Sequence, residues 1–370
     1  MSDEPLRIGI QQRVLPAYRA DFFDLLAEAY QGSLSVFSGE GREKEALGEL
    51  AILKIAQQYK ADNLHFFQKS GYLCYQRGII SWLKQWNPQV LIMEANPRYI
   101  STASAISWMH TQKRPVIGWG LGAPKQNQNK ITDAMRRSFL KKFDYLITYS
   151  EQGKNEYESI GIDASHIFVA ANAVASKPLY PIPFRLPTEY KDGKATLLFV
   201  GRLQTRKKLE VLFQACAALP EAIQPHIWIV GDGPERKYFE VLASAIYPDV
   251  TFLGAQFGID LEPIYKQADL FVLPGTGGLA VQQAMSFGLP VLVGEADGTQ
   301  TLLVREENGW MLPPDSDYTA MTTILQEVLP HPQRLRKMGE ASFRIVSEEI
   351  NLENMVVGFQ TAIQTALETV

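Results

Sequence analysis

The 370-residue chain has few of the residues that disulfides and zinc sites require. It contains two cysteines, Cys74 and Cys216, and five histidines, and no C-x-x-C or Cys/His spacing groups them. A disulfide framework and a zinc site are therefore not supported, and a reducing compartment is the simpler assumption.

Long apolar runs and an excess of basic charge are also missing. No stretch of about 18 apolar residues occurs, so no membrane-spanning helix is expected. The opening "MSDEPLRIGI" is acidic and lacks the apolar region of a signal peptide. A formal net charge of -4 gives no field that would attract nucleic acid. We therefore expect a cytoplasmic protein that does not bind nucleic acid.

The sequence does contain a repeated alternation of short apolar runs and helical segments. Runs such as "QVLIMEA", "ATLLFVG" and "PHIWIVG" are separated by amphipathic stretches such as "YRADFFDLLAEAY". Near-continuous apolar strands alternating with helices predict α/β, doubly wound parallel sheets covered on both faces. The predicted strands are 7–12, 33–39, 71–76, 89–95, 115–120, 145–150, 166–172, 195–201, 225–231, 250–255, 270–275, 290–295 and 309–314.

A proline-rich segment, "SKPLYPIPFRLPTEYKDGK", interrupts this alternation. We predict a Rossmann-like domain over 1–176, a linker over 177–194 and a second Rossmann-like domain over 195–350. The final segment, 351–370, is predicted to be a helix that either closes the second domain or crosses back to the first. Two such domains face a cleft, and the carboxyl ends of parallel strands bind ligands there.

Glycine turns and cations follow the predicted strands of the second half. Gly201 is followed by Arg202 and Lys207, and the next strand ends at Gly231 and Asp232. Free N–H groups at helix starts bind anions, and long cations can neutralise a diphosphate. The chemistry suggested is departure of a phosphorylated group, although Asp232 is equally explained as a turn former.

A dinucleotide site is the competing interpretation of one of these turns. Gly275, Gly277 and Ala280 fit the G-x-G-x-x-A spacing, and Glu295 follows about twenty residues later. In a Rossmann domain this fingerprint follows the first strand, whereas here only "GWMLPP" remains as a clear strand after Glu295. A nicotinamide or flavin site is therefore the weaker alternative, and no cofactor is predicted.

Several segments of the second half occur in the order found in one enzyme family. They are "LLFVGRLQTRKKLEVLFQA", "WIVGDGPER", "IYKQADLFVLPGTGGLAVQQAMSFGLPVLV" and "NGWMLPP". Together they resemble the nucleotide-binding half of retaining glycosyltransferases of the GT-B fold, family four. In the first half, "LIMEANPRYISTASA" and "VIGWGLGAP" resemble, more loosely, the acceptor-side domain of bacterial members.

The resemblance implies a retaining, metal-independent glycosyltransferase of the cell envelope. Its donor would be a UDP- or GDP-sugar, and its acceptor a polysaccharide, lipid-linked precursor or glycolipid. No D-x-D pair stands at a strand end to hold a metal, and Arg202 and Lys207 match the cations that hold the diphosphate in the family. Donor-side residues implied by the resemblance or the strand ends are Gly201, Gly231, Asp232, Phe252, Gly254, Ala255, Gly275, Thr276, Gly277, Gly278, Leu279, Gln283 and Glu295. Acceptor-side candidates are Arg13, Tyr18, Arg19, Glu94, Asn96, Arg98 and Trp119.

The sequence departs from the family at three positions. Members usually carry two glutamates eight residues apart, where this chain has Gly275 and Gln283, and a histidine where it has Leu121. Gln283 can still bond a ribose hydroxyl, but Gly275 has no side chain to contact the donor sugar. The alternative is therefore a catalytically degenerate protein that binds nucleotide sugars or serves as a partner subunit.

The acceptor-side candidates also have structural explanations. Asn96 precedes a proline and starts a turn, and Trp119 either lines the acceptor site or packs in the core. The basic segment "DAMRRSFLKKF" (133–143) either contacts an anionic membrane surface or packs on the domain with a solvated face.

Overall fold

The computed structural model divides the chain into two compact units. The first comprises Met1–Val174 and Leu352–Val370, and the second comprises Ala175–Asn351. The structure describes residues 5–42, 51–67, 71–123, 130–294, 300–313 and 316–369, without the side chains of 130–133.

The first unit contains a seven-stranded parallel sheet and a separate two-stranded sheet. Its strands are β1 (Ile8–Val14), β2 (Leu34–Gly39), β3 (Gln57–Lys60), β4 (Asp62–Phe66), β5 (Leu73–Arg77), β6 (Val90–Glu94), β7 (Val116–Gly120), β8 (Tyr145–Thr148) and β9 (Ile167–Val169). Its helices are α1 (Ala20–Ala29), α2 (Ile79–Trp86), α3 (Thr102–Thr111), α4 (Lys130–Leu140) and α5 (Glu151–Ser159), with α13 (Leu352–Glu368) from the end of the chain. The large sheet has the order β3-β2-β1-β6-β7-β8-β9.

Apolar residues alternate between two faces of this sheet and build a core on each. On one face, α1 and α13 join in an aromatic cluster of Phe22, Trp119 and Phe359, whose ring centroids lie 4.9 to 5.8 Å apart. On the other face, α2 and α3 pack with Trp82 and Met109. Because both faces are covered, the central strands β6, β7 and β8 are almost wholly apolar.

The strand predicted over 71–76 forms, but not in the parallel sheet. Strand β5 pairs antiparallel with β4, which the sequence did not predict. Buried Cys74 and Gln76 alternate with exposed Tyr75 and Arg77 along it, a period of two that is typical of a half-exposed antiparallel ribbon. The polar edge strand β3, "QQYK", was also missed.

The second unit contains a six-stranded parallel sheet. Its strands are β10 (Thr196–Val200), β11 (His226–Val230), β12 (Val250–Gly254), β13 (Leu270–Leu273), β14 (Val291–Gly294) and β15 (Gly309–Leu312). Its helices are α6 (Leu209–Ala217), α7 (Arg236–Ile246), α8 (Glu262–Gln267), α9 (Leu279–Ser286), α10 (Gln300–Leu303), α11 (Tyr318–Val328) and α12 (Pro332–Arg344). The strand order is β12-β11-β10-β13-β14-β15, and every strand predicted for this half is present. The α/β prediction with two doubly wound sheets is confirmed.

The proline-rich segment 177–194 has neither helix nor strand. Its Arg185 donates to the carbonyl groups of Tyr265 and Ala268, both at 2.8 Å, and of Phe287 at 3.1 Å. These bonds fix the segment on the second unit.

Each large sheet reverses its strand order once. In the first unit the reversal lies between β1 and β6, and in the second between β10 and β13. Open α/β sheets bind ligands at the carboxyl ends of the strands that flank such a switch point. These two places are therefore the first candidates for a site in each unit.

Candidate functional site

At the switch point of the second unit, the loop after β10 is bonded to the loop after β13. The Thr276 N–H donates to the Arg206 carbonyl at 3.1 Å, and the Arg206 guanidinium donates to the Thr276 hydroxyl at 3.0 Å. The Lys207 ammonium donates to the Thr276 carbonyl at 2.6 Å. One backbone turn therefore holds two cations of the first loop, Arg206 and Lys207.

Glycines allow these loops to approach backbone to backbone. A Cβ on Gly275 would lie 2.1 Å from the Arg206 carbonyl oxygen, and a Cβ on Gly231 would lie 2.0 Å from the Gly201 carbonyl oxygen. Neither contact is possible for a side chain. The position where the family usually has its first glutamate is thus occupied by main chain.

Lys207 is a buried cation, with 8% of its surface exposed. Burial, and secondarily the charge of Arg206, lowers the pKa of its ammonium to about 8. A Cβ on Gly277 would lie 2.5 Å from Lys207 Nζ, and Gly277 has a φ of 147°. Only glycine at 277 leaves room for the ammonium in this position.

The same turn presents amide donors on its opposite side. Lys207 binds the Thr276 carbonyl, and Gln300 Nε2 donates to the Gly277 carbonyl at 2.7 Å. In a trans peptide the N–H points away from the C=O, so the N–H groups of Gly277 and Gly278 point away from these partners. Within the described residues, no hydrogen bond engages either N–H. Together with the start of α9, they offer a place for an anion.

Two other predicted donor-side residues lie at neighbouring strand ends. Arg202, after β10, is exposed and has an interaction partner. Asp232, after β11, accepts from the Gly233 N–H at 2.7 Å and pairs with Arg236 at 3.3 Å. The carboxylate of Asp232 therefore stabilises its own turn.

The remaining donor-side candidates are more dispersed. Phe252 and Gly254 are half-buried in β12, and Ala255 is exposed just after it. Gln283 is half-buried on α9, which Leu279 begins. Glu295 lies outside the described residues.

At the switch point of the first unit, side chains rather than glycines join the strand ends. The Arg13 N–H, at the end of β1, donates to Glu94 Oε2 at 2.5 Å, and the Glu94 N–H donates to Gln11 Oε1 at 3.2 Å. Burial raises the pKa of the Glu94 carboxyl to about 7, although the bond from Arg13 opposes the shift. Glu94 therefore exchanges its proton near neutral pH.

A row of buried amides supports this carboxylate, and sequence reasoning missed it. Gln76 on β5 accepts a bond from Gln11 and donates to the Gln12 carbonyl and to Asn63 Oδ1, both at 3.0 Å. Asn63 in turn donates to the Arg13 carbonyl at 2.7 Å. The only signal in the sequence was the presence of glutamines in otherwise apolar runs, "RIGIQQ" and "GYLCYQ".

A cavity of about 360 Å³ opens at this edge of the first sheet. The side chains that line it include Glu94, Asn96, Arg98, Trp119, Arg136 and Tyr149. It therefore brings together four of the seven predicted acceptor-side residues. Asn96 also accepts from the Arg98 N–H at 3.1 Å, as its turn role predicts.

The other three acceptor-side candidates lie beside this cavity. Arg13 supports Glu94, as described above. Arg19 is 6% exposed, and its guanidinium lies over the rings of Tyr18, Trp119 and Tyr149 at 5.4, 5.0 and 5.9 Å. Its Nη1 atom and the indole N–H of Trp119 are buried and have no hydrogen-bond partner in the described part of the chain. Trp119 thus belongs both to the core and to the cavity wall.

In the described parts of the chain, no three His, Cys, Asp or Glu side chains are grouped as a metal site would require. Over the same residues, no helix has the length and apolar composition needed to span a bilayer.

Known proteins resemble this chain most clearly in the second unit. Residues 194–331 match the family described as Glycosyl transferases group 1. A GDP-mannose-dependent alpha-mannosyltransferase of Corynebacterium glutamicum is 35% identical over 153 residues, which cover 40% of this chain and 35% of that protein. The chain spans little more than a third of the length of the curated relatives it matches.

Solved structures resemble the whole chain. HepE of Anabaena in complex with UDP aligns with a TM-score of 0.70 at 15% identity and covers 97% of this chain and 100% of HepE. The lipopolysaccharide outer core galactosyltransferase WaaB in its apo form aligns with a TM-score of 0.65 at 16% identity and covers 97% and 99%. The fold is therefore that of GT-B glycosyltransferases, with two Rossmann-like domains.

Proposed function

We propose that this protein is a glycosyltransferase that moves a sugar from a nucleotide-sugar donor to a glycan or lipid-linked acceptor. One observation carries the proposal: at the switch point of the second sheet, one turn has a buried lysine on its carbonyl side and, among the described residues, two unbonded glycine N–H groups on its other side. The match of the same segment to the Glycosyl transferases group 1 family supports it.

The donor diphosphate would occupy the turn at 276–278. Among the described residues, no carboxylate is paired with Lys207, so none of them neutralises its buried charge. Burying an unpaired charge is costly, and an anionic ligand removes that cost. The N–H groups of Gly277 and Gly278 would donate to the phosphate oxygens, and Arg202 would supply the second charge.

Catalysis would consist mainly in stabilising the leaving diphosphate. Negative charge grows on the phosphate as the bond to the sugar breaks, and fixed donors in a dry site favour that charge. We propose retention of configuration without a metal, because the departing phosphate can itself take the acceptor's proton. The protein supplies positive charge to the leaving diphosphate and holds the acceptor in the right orientation.

The similar proteins support a nucleotide sugar without defining its base. HepE was solved with UDP, whereas the mannosyltransferase is named for GDP-mannose. We therefore propose a UDP- or GDP-sugar.

The acceptor would bind in the cavity of the first unit. Glu94 would accept a bond from the acceptor hydroxyl, and Trp119 and Tyr149 would offer aromatic surface to a sugar ring. Arg98 is exposed at the same wall. WaaB acts in lipopolysaccharide synthesis according to its name, and we propose a cell-envelope acceptor of similar chemistry. A cytoplasmic location and membrane contact through α4 stay predictions.

One observation favours a second candidate, a nucleotide-sugar binding protein without turnover. The backbone at Gly275 excludes the carboxylate that the family places there. Such a protein would still bind the diphosphate through Lys207.

Turnover separates the two candidates. Purified protein is screened for stabilisation by UDP, GDP and their sugars, since a ligand of the native state raises the melting temperature. Release of nucleotide from the stabilising donor is then measured with Lys207→Ala and with Lys237→Ala, which removes an exposed lysine of the same unit. We expect Lys207→Ala to lower the rate at least about a hundredfold and Lys237→Ala to leave it unchanged. Binding without release over a broad acceptor panel would favour the second candidate, and no binding of any nucleotide would reject both.

A further inference from the structure

Gln300 is the first residue of α10, and only one end of its side-chain amide is hydrogen-bonded. The residue is 1% exposed, its Nε2 donates to the Gly277 carbonyl at 2.7 Å, and its Oε1 has no hydrogen-bond partner among the residues that the structure describes. A carbonyl oxygen can only accept, so the bond to Gly277 fixes which end of the amide is the nitrogen. The unused atom is therefore a hydrogen-bond acceptor.

A second buried glutamine of the same unit shows the usual arrangement. Gln282 is also 1% exposed, and it accepts from the Ala175 N–H at 3.3 Å and donates to the Ile350 carbonyl at 2.7 Å. Both ends of that amide are bonded, as buried polar groups generally require. An unpaired buried acceptor such as that of Gln300 destabilises the fold unless a ligand donates to it.

The position of Gln300 narrows the kind of ligand group. Lys207 and Gln300 bind the consecutive carbonyls of Thr276 and Gly277, so both side chains border the same turn. A phosphate oxygen cannot donate to Oε1 at neutral pH, whereas a sugar hydroxyl can. A ligand group that bonds to this atom must therefore carry a hydrogen-bond donor, as a sugar hydroxyl does.

The backbone at Gly275 explains why another residue is needed to accept a hydrogen bond from the donor sugar. The family glutamate at that position contacts the donor sugar, but here the Arg206 carbonyl occupies the space of any side chain. A different residue must then recognise the sugar.

We propose that Gln300 Oε1 accepts a hydrogen bond from a hydroxyl of the sugar that is transferred, and so helps select the donor. The inference rests on the proposed function, because it assumes that a nucleotide diphosphate binds at 276–278. A neutral amide takes the place of the family carboxylate, without its charge.

Paired binding measurements isolate the contribution of the sugar. Calorimetry gives the protein's dissociation constants for UDP and UDP-glucose, and for GDP and GDP-mannose. For the pair that binds, the change in the ratio of the two constants between variants reports the contribution of the sugar. We expect Gln300→Leu to reduce the affinity gained from the sugar about fivefold to tenfold, the value of one neutral hydrogen bond. Gln214→Leu, an exposed glutamine of α6, is the matched control and should leave the ratio unchanged.

Two further comparisons test the role of the oxygen itself. Gln300→Glu keeps an acceptor oxygen but loses the bond to Gly277, so it should weaken nucleotide binding while retaining the gain from the sugar. Deoxy or fluoro donors should identify one hydroxyl whose removal weakens binding to the wild type but not to Gln300→Leu.

The outcomes separate this inference from the proposed function. If Gln300→Leu weakens the nucleotide and the nucleotide sugar equally, Gln300 only positions Gly277 or contacts the ribose, and the inference is wrong while the proposed function stands. If the wild type binds no nucleotide, the proposed function itself fails. Thermal melting of each variant establishes that it is folded before these ratios are compared.

Discussion

At the switch point of the second unit, strand ends meet through glycine backbone, whereas in the first unit they meet through side-chain amides and a carboxylate. Gly275 brings its loop against Arg206 without a side chain between them. In the first unit, Gln11 and Gln76 join the neighbouring strands instead. The same topology therefore presents main-chain amides and buried charge on one sheet and polar side chains on the other.

This difference fits two kinds of ligand. A diphosphate is the same in every nucleotide sugar and can be bound by backbone groups that substitutions do not change. Acceptors vary in their hydroxyls, and side chains such as Glu94 and Arg98 can change with them.

The largest effect is expected when a side chain is forced into the glycine contact. Gly275→Glu restores the family carboxylate, but its Cβ would lie 2.1 Å from the Arg206 carbonyl, so the loops must separate. We expect the free energy of unfolding of the second unit to fall by about 3 kcal/mol or more, measured by urea denaturation, with no gain in turnover. Gly201→Ala, whose nearest contact would be 3.3 Å, should be tolerated better. A stable, more active Gly275→Glu protein would show that the loop is not packed in this way.

A smaller effect is expected when the ammonium site alone is disturbed. Gly277→Ala would place its Cβ 2.5 Å from Lys207 Nζ and displace the charge. We expect nucleotide affinity to fall about tenfold to a hundredfold in calorimetry. Gly193 also has a positive φ, of 75°, but a Cβ on it would meet no atom within 4 Å. Gly193→Ala should therefore leave nucleotide affinity unchanged. Equal losses in both variants would assign the effect to backbone strain.

In the first unit, Glu94→Gln tests the side-chain site. With the Glu94 pKa near 7, the ionised form increases between pH 6 and pH 8, so kcat/KM for the acceptor should rise over this range. The variant should lack that rise and be about tenfold slower at pH 8, with unchanged nucleotide affinity.

The pH dependence of stability checks the raised pKa of Glu94 independently. Folding raises the pKa of Glu94 from 4.5 to about 7, so its contribution to stability is present below pH 4.5 and is lost as the pH rises through 7. The wild type should therefore lose stability relative to Glu94→Gln across that window in thermal melting. Parallel curves would contradict the raised pKa.

The smallest effect is expected from titration of Lys207. Folding lowers its pKa from 10.5 to about 8, so the protonated form opposes folding below pH 8, and this penalty disappears as the pH rises towards 10.5. A diphosphate needs the protonated form. Nucleotide affinity should fall about fourfold between pH 7 and pH 8.5, and Lys207→Arg, which stays charged, should show a flatter dependence.

The sequence predicts the second unit better than the first for a physical reason. Its strands are mostly apolar, and β10, β11, β12 and β14 end at or directly before a glycine, so composition marks both the interior and the end of these strands. The first unit contains β3 and β4, whose polar residues give no apolar run, and the partner of β5 depends on pairing between distant residues rather than on local pattern.

The candidate sites differ in the same way. Lys207 and Gly277 could be named from a motif, because their roles follow from local spacing. Gln300 and Gln76 could not, because each acts through a bond to a residue at least 13 positions away in the chain. Long-range polar contacts leave no periodic signal in sequence.

The last helix, α13, follows the second unit in the chain but contributes Phe359 and Ile363 to the core of the first. Removing residues 352–368 would therefore damage the fold of the half that is translated first. The nascent first unit lacks part of its hydrophobic core until the ribosome has completed all of the second.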